Sequence, residues 1–156
     1  MTYETYHIVI IVCSILAFVP ALVFHEFMHG LAAYLLGDKT AASQGRLSLN
    51  PLKHLDPFGT VILPGLLILM GGPIFGYAKP VPYNPRNFKD PRKGDLIVGL
   101  AGPMGNFLLA AIAAIIYAVM GLFYTPSGID FALIIYALYL PLLITTNLYL
   151  IFFNLL

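Results

Sequence analysis

Three stretches of this sequence, residues 8–36, 96–124 and 129–156, hold 28 or 29 residues each. Between them they carry only two charged side chains, Glu26 and Asp130. A helix rises about 1.5 Å per residue, so about 20 apolar residues cross the hydrocarbon of a bilayer. Each stretch exceeds that length, and a domain folded in water has no use for so much unbroken apolar surface. A fourth apolar block, residues 60–75, is shorter and is interrupted by Pro64, Gly71, Gly72 and Pro73. Composition points the same way, with 60% hydrophobic and 10% charged residues. That is too little charge to coat a water-soluble domain and too much apolar content for a disordered chain. The expected fold is an all-α membrane protein: three long transmembrane helices plus a short re-entrant or fourth helix.

Charge placement orients it. Lys and Arg are absent before residue 8 and after Lys93, while three fall in 37–59 and five in 76–95. The positive-inside rule puts both basic loops in the cytoplasm and the N-terminus outside the cell membrane. The block 60–75 then enters and leaves on one side, as a hairpin whose broken backbone must be buried by protein. The alternative is a short true span. No Lys or Arg leads the first apolar run and no small-residue cleavage site follows it, so it reads as a retained span.

The net charge is +1, and no basic stripe interleaved with aromatics offers a footprint for nucleic acid. The single cysteine, Cys13, sits in an apolar run, which excludes a disulfide framework and a thiolate zinc site. Residues 45–49 alternate in polarity and read as a small strand-like loop before a break at Asn50 and Pro51. Residues 79–85 are Pro-rich and read as an extended connector. A turn at 125–128 joins the last two long blocks, and residues 1–156 read as one domain.

The chemistry lies at His25, Glu26 and His29, within the first block. Histidines at i and i+4 project from one helix face, where both imidazoles reach one metal ion. Glu26 is turned about 100° from His25, the placement wanted for a base beside the metal. Zinc would lower the pKa of a bound water toward about 7, and the carboxylate would take its proton. A charge at mid-helix costs about 2.5–3.5 kcal/mol on insertion scales, so the triplet is expensive without a purpose. The bland alternative is a polar cluster that joins helices or lines a water path. Ser14, Ala17 and Ala21 step into the histidines as a small-residue stripe, and Pro20 is expected to kink the helix. The histidines lie roughly 10–17 Å below the cytoplasmic end of the helix.

In the third block Gly102, Asn106, Ala110 and Ala114 form an i+4 stripe, with Gly102 and Pro103 expected to break the helix early. The stripe reads either as a packing face or as a setting for Asn106 to bind substrate or a developing oxyanion. Asn147 and Asn154 pose the same choice, with interhelical hydrogen bonding the default. His54 and Asp56 read as members of a solvated turn.

At these residues the chain resembles the site-2 protease family of intramembrane zinc metalloproteases, in its compact prokaryotic branch without an inserted soluble domain. The matching stretches are HEFMHGLAAYLLGD (25–38), GRLSLNPLKHLDPFGT (45–60), YAKPVPYNPRNF (77–88), AGPMGN (101–106) and NLYLIFFNLL (147–156). The resemblance implies one Zn2+ ion on His25 and His29, with Glu26 as catalytic base. It also implies cleavage of transmembrane or juxtamembrane segments of membrane-protein substrates. In the family an Asp beyond the FNLL-like stretch is the third zinc ligand. The sequence ends at Leu156, so the expectation is a core truncated before that ligand. Two other functions stay open: an inactive membrane-binding remnant of the fold, and a proton or metal transporter.

Overall fold

A computed structural model describes residues 2–70, 79–125 and 130–155. Among them the chain is helical and contains no strand. Three helices are long and apolar enough to cross a membrane: Tyr3–Leu35, Pro91–Phe123 and Phe131–Leu155. The chain divides into two compact units, one of Met1–His25 with Gly102–Leu156, the other Glu26–Ala101.

Helix α1, Tyr3–Leu35, runs unbroken through Pro20. It stops where Gly37 takes φ 103°, a conformation that costs glycine nothing. The Gly37 N–H bonds the Tyr34 carbonyl at 3.1 Å and the Asp38 N–H bonds that of Ala33 at 2.9 Å. This paired closure satisfies carbonyls that the helix end would orphan. The short helix α2, Thr40–Ser43, closes the same way. Gly45 has φ 63°, its N–H bonds the Ala42 carbonyl at 3.0 Å, and the Arg46 N–H bonds that of Ala41 at 2.8 Å. Residues 45–49 therefore start inside a helix-terminating turn and continue as bends. The expected strand-like loop does not form, because its first residues are already committed to α2.

The rest of the second unit is built from short capped turns. Asn50 accepts from the Leu52 N–H at 3.0 Å and starts a 3-10 turn, Pro51–Lys53. Asp56 accepts from Phe58 and Gly59 N–H at 3.0 and 2.7 Å and starts a π-helical turn, Pro57–Ile62. That turn leads into α3, Leu63–Leu69. The expected hairpin over 60–75 lies partly outside the described residues, as does the turn expected at 125–128. Residues 79–84 carry no helix, and a 3-10 turn follows at Pro85–Asn87. Ala33, Phe88 and Val98 are buried together, with Ala32 and Leu36 against them.

Helix α4, Pro91–Phe123, starts on a proline at its first position. Asp90 caps it, accepting from Arg92 and Lys93 N–H at 3.1 and 3.2 Å, as a proline-led helix start favours. It does not break at Gly102 and Pro103 but runs through them. The carbonyl that a Pro103 ring crowds is four residues back, at Gly99. Gly99 itself faces open space, since a Cβ built there would meet nothing within 4 Å. The buried face of α4 is Gly102, Asn106, Ala110 and then Ala113 rather than Ala114. A period of 3.6 residues per turn brings position 113 back over 102.

In the first unit, Asp130 caps α5, Phe131–Ile134, through the Leu133 N–H at 2.7 Å. A π-helical turn, Ile135–Tyr139, and α6, Leu140–Leu155, continue it. The long helices turn their bulk outward: Ile8, Ile11, Ile15 and Leu16 on α1 are exposed, as are Phe107, Leu108, Ile112 and Ile115 on α4. Much of what they bury is small or polar, including Ala17, Ala21, His25, Asn106 and Asn147. That arrangement suits hydrocarbon outside and close helix approach within.

Candidate metal centre

His25, Glu26 and His29 all lie on α1, where the i, i+4 spacing puts both histidines on one face. The two rings have different partners. In the first unit, His25 is 2% exposed and Asn106 and Asn147 are fully buried. The Asn106 Nδ2 group donates to the Ala21 carbonyl at 3.2 Å and to Asn147 Oδ1 at 2.7 Å. Asn147 Nδ2 in turn donates to the Leu143 carbonyl at 2.8 Å. Carbonyl oxygens only accept, so both amides have a fixed orientation. Asn106 Oδ1 therefore faces His25 Nδ1 at 2.5 Å, and the imidazole is the donor.

In the second unit, His29 Nδ1 lies 2.6 Å from the Val98 carbonyl. Again only the imidazole can donate. Both rings thus carry a proton on Nδ1, and in the neutral imidazole that tautomer leaves the lone pair on Nε2. An oxygen acceptor on the far ring nitrogen is how metal-binding histidines are usually oriented. The donor set fits zinc on these grounds: in their neutral form the two imidazoles would supply part of its coordination. Among the described residues, no group of three or more His, Cys, Asp or Glu is arranged to hold a metal ion.

Glu26 belongs to the second unit, where its Oε2 accepts from the Val81 N–H at 2.9 Å. The remaining candidates sit elsewhere. Asn154 donates to the Leu150 carbonyl of its own helix at 2.7 Å and is exposed. Asp56 caps its turn. His54 is 2% exposed, not a member of a solvated turn. Its Nε2 donates to the Ser48 carbonyl at 2.7 Å, and its own carbonyl receives the Lys79 N–H at 2.9 Å. The short loops fold back over the ring, and its Nδ1 is buried without a partner among the described residues.

Two further side chains, Asp38 and Arg46, tie this unit together. Asp38 is buried and accepts from Thr40 N–H and Oγ1 at 3.2 and 2.6 Å. It also accepts from Asn84 N–H at 2.8 Å and Asn87 Nδ2 at 2.6 Å. Burial pushes its carboxyl up, but these hydrogen bonds outweigh burial and hold it below the usual value of 3.8. Arg46 spans the loops through Nη1 to the Lys53 carbonyl and Nη2 to those of Lys79 and Pro80. An acidic residue just past a helix-ending glycine is the signal that points to Asp38.

The chain is 45% identical over 106 residues to a Bacillus subtilis protein named "Putative zinc metalloprotease YwhC", a match covering 68% of this chain and 45% of that protein. It is 34% identical over 103 residues to "Putative zinc metalloprotease Rip2" of Mycolicibacterium smegmatis, covering 66% of this chain and 39% of that protein. The protein of the same name in Mycobacterium tuberculosis is 33% identical over the same shares. All three relatives carry a zinc metalloprotease name. The chain spans less than half the length of these relatives. No family model and no solved structure matches it.

Proposed function

We propose that this chain is the core of a zinc-dependent intramembrane endopeptidase of the site-2 type. His25 and His29 hold the metal, and Glu26 is the general base. The observation that carries this reading is the pair of i, i+4 histidines on an apolar helix, each with its Nδ1 proton on a fixed oxygen. The names of the relatives support the metalloprotease class.

Zinc, when bound, supplies Lewis-acid polarisation of water and of the scissile carbonyl. The Glu26 carboxylate accepts the proton of the attacking water and passes it to the leaving amine, so that the peptide bond breaks with water divided between the products. Asn106 acts through His25, because its two N–H groups and its oxygen already have partners, and Asn147 fixes Asn106. The substrate is a transmembrane or juxtamembrane segment of a membrane protein, with the basic loops 37–59 and 76–95 on the cytoplasmic side.

The test uses the protein reconstituted in vesicles with a membrane-embedded substrate. Cleavage should disappear in Glu26→Gln with zinc retained, and zinc content should fall in His25→Ala. Undiminished cleavage by Glu26→Gln would sink the assignment. A catalytically silent protein of the same fold is the second reading. It would purify with little zinc and cut nothing.

A further inference from the structure

Segment 79–84 reads Lys-Pro-Val-Pro-Tyr-Asn, and its two prolines remove the backbone donors on either side of Val81. The N–H that remains between them is the one bonded to Glu26 Oε2 at 2.9 Å. The segment is fastened on both sides of that bond. Upstream, Arg46 Nη2 donates to the Lys79 and Pro80 carbonyls at 2.7 and 3.2 Å, and the Lys79 N–H reaches the His54 carbonyl. Downstream, Asp38 receives the Asn84 N–H and the Asn87 amide. The spacing to α1 is set at Gly30, one turn beyond Glu26. A Cβ there would lie 2.9 Å from Val81 Cγ1 and 3.3 Å from Leu47 Cδ1, so any larger residue forces the Val81 side chain, or the segment that carries it, to shift. Val81 itself is 5% exposed.

We propose that the Val81 N–H is a positioning group for the Glu26 carboxylate, held in register by Arg46 and Asp38 and brought close by Gly30. The inference rests on the proposed role of Glu26 as base. With Oε2 tied to a fastened backbone, the side-chain torsions of Glu26 are set, and its second oxygen is the one that takes the proton. A base displaced by about 1 Å costs about a hundredfold in rate, which is what a backbone donor on a clamped segment prevents.

Hydrogen exchange of the protein in nanodiscs, read by fragmentation across 79–83, tests the bond without reference to activity, since Val81 carries the sole amide between residues 80 and 82. The Val81 amide should exchange slowly, and Glu26→Ala should speed it by at least about tenfold, leaving Asn84 unchanged. An unprotected Val81 amide, or one indifferent to Glu26→Ala, overturns the proposal while leaving the protease reading intact. Kinetics supply the second arm. Val81→Pro should lower kcat about a hundredfold, with KM within about twofold and zinc content unchanged. Val81→Ala keeps the N–H and should lose less than about fivefold. Where Val81→Pro folds poorly, Gly30→Ala takes its place and should also lower kcat and speed Val81 exchange; full kcat in Gly30→Ala with Val81 still protected would overturn the spacing role. Cleavage that survives Glu26→Gln would instead remove the protease reading and leave the exchange result standing.

Discussion

His25 and His29 sit one turn apart on α1, yet His25 leans on a side chain, Asn106 Oδ1, and His29 on a main-chain oxygen, that of Val98. The first support belongs to the unit of long helices and reaches through Asn147 to the Leu143 carbonyl. The second belongs to the unit of short turns, where a backbone N–H, that of Val81, also holds Glu26. A side-chain support can be deleted by one substitution; a main-chain support survives almost any. The two histidines should therefore differ sharply in how mutation around them is felt.

The largest effect is expected at Asn106. Asn106→Leu should weaken zinc binding about 10- to 100-fold, measured by chelator competition. It should also destabilise the fold by about 1–3 kcal/mol, because the Ala21 carbonyl and the Asn147 oxygen lose their buried donor. Val98→Ala is the matched probe for His29. It leaves the carbonyl in place, so zinc affinity should stay within about twofold even though the lost methyls cost about 1 kcal/mol or more. Equal losses of zinc affinity in the two variants would erase the distinction.

Asp38 comes next. Its carboxyl is lowered in the folded protein, so its stabilisation is present above the usual carboxylate value and is lost as pH falls through the lowered one. Asp38→Asn should cost about 2 kcal/mol at neutral pH and should flatten the decline of melting temperature below about pH 4. A variant that keeps the wild-type acid limb would show that other carboxylates set it. Asn147→Leu should cost less than Asn106→Leu, about 1 kcal/mol, since His25 keeps its direct acceptor. Asn154→Ala, one face of α6 further on but exposed, should change stability by no more than about 0.5 kcal/mol. Similar effects at 147 and 154 would argue that the buried relay contributes little.

What could be read in the sequence follows the same division. Long apolar helices and an i, i+4 histidine pair are periodic, and periodicity is visible without a structure. Asn106 and Asn147 stood out as polar residues in apolar blocks, but their partners depend on which helices meet, so packing and substrate binding looked alike. The Val98 carbonyl and the Val81 N–H were invisible, since every residue except proline offers the same main-chain atoms. His54, a histidine between turn-forming residues, looks solvated in the sequence and is buried only once the loops fold over it. A strict step of four points to Ala114, whereas a helical turn shorter than four residues brings Ala113 onto the buried face.

The prolines flanking Val81 also bear on the unfolded chain. Pro80 and Pro82 have φ fixed near the value they keep when folded, and each restricts the residue before it toward extended backbone. Much of the disorder that ordering this stretch would otherwise remove is absent before folding begins. Tying Val81 to Glu26 therefore costs less conformational entropy than it would for a flexible loop of the same length. The segment reaches α1 already straightened, and the few hydrogen bonds from Arg46 and Asp38 have only to locate it.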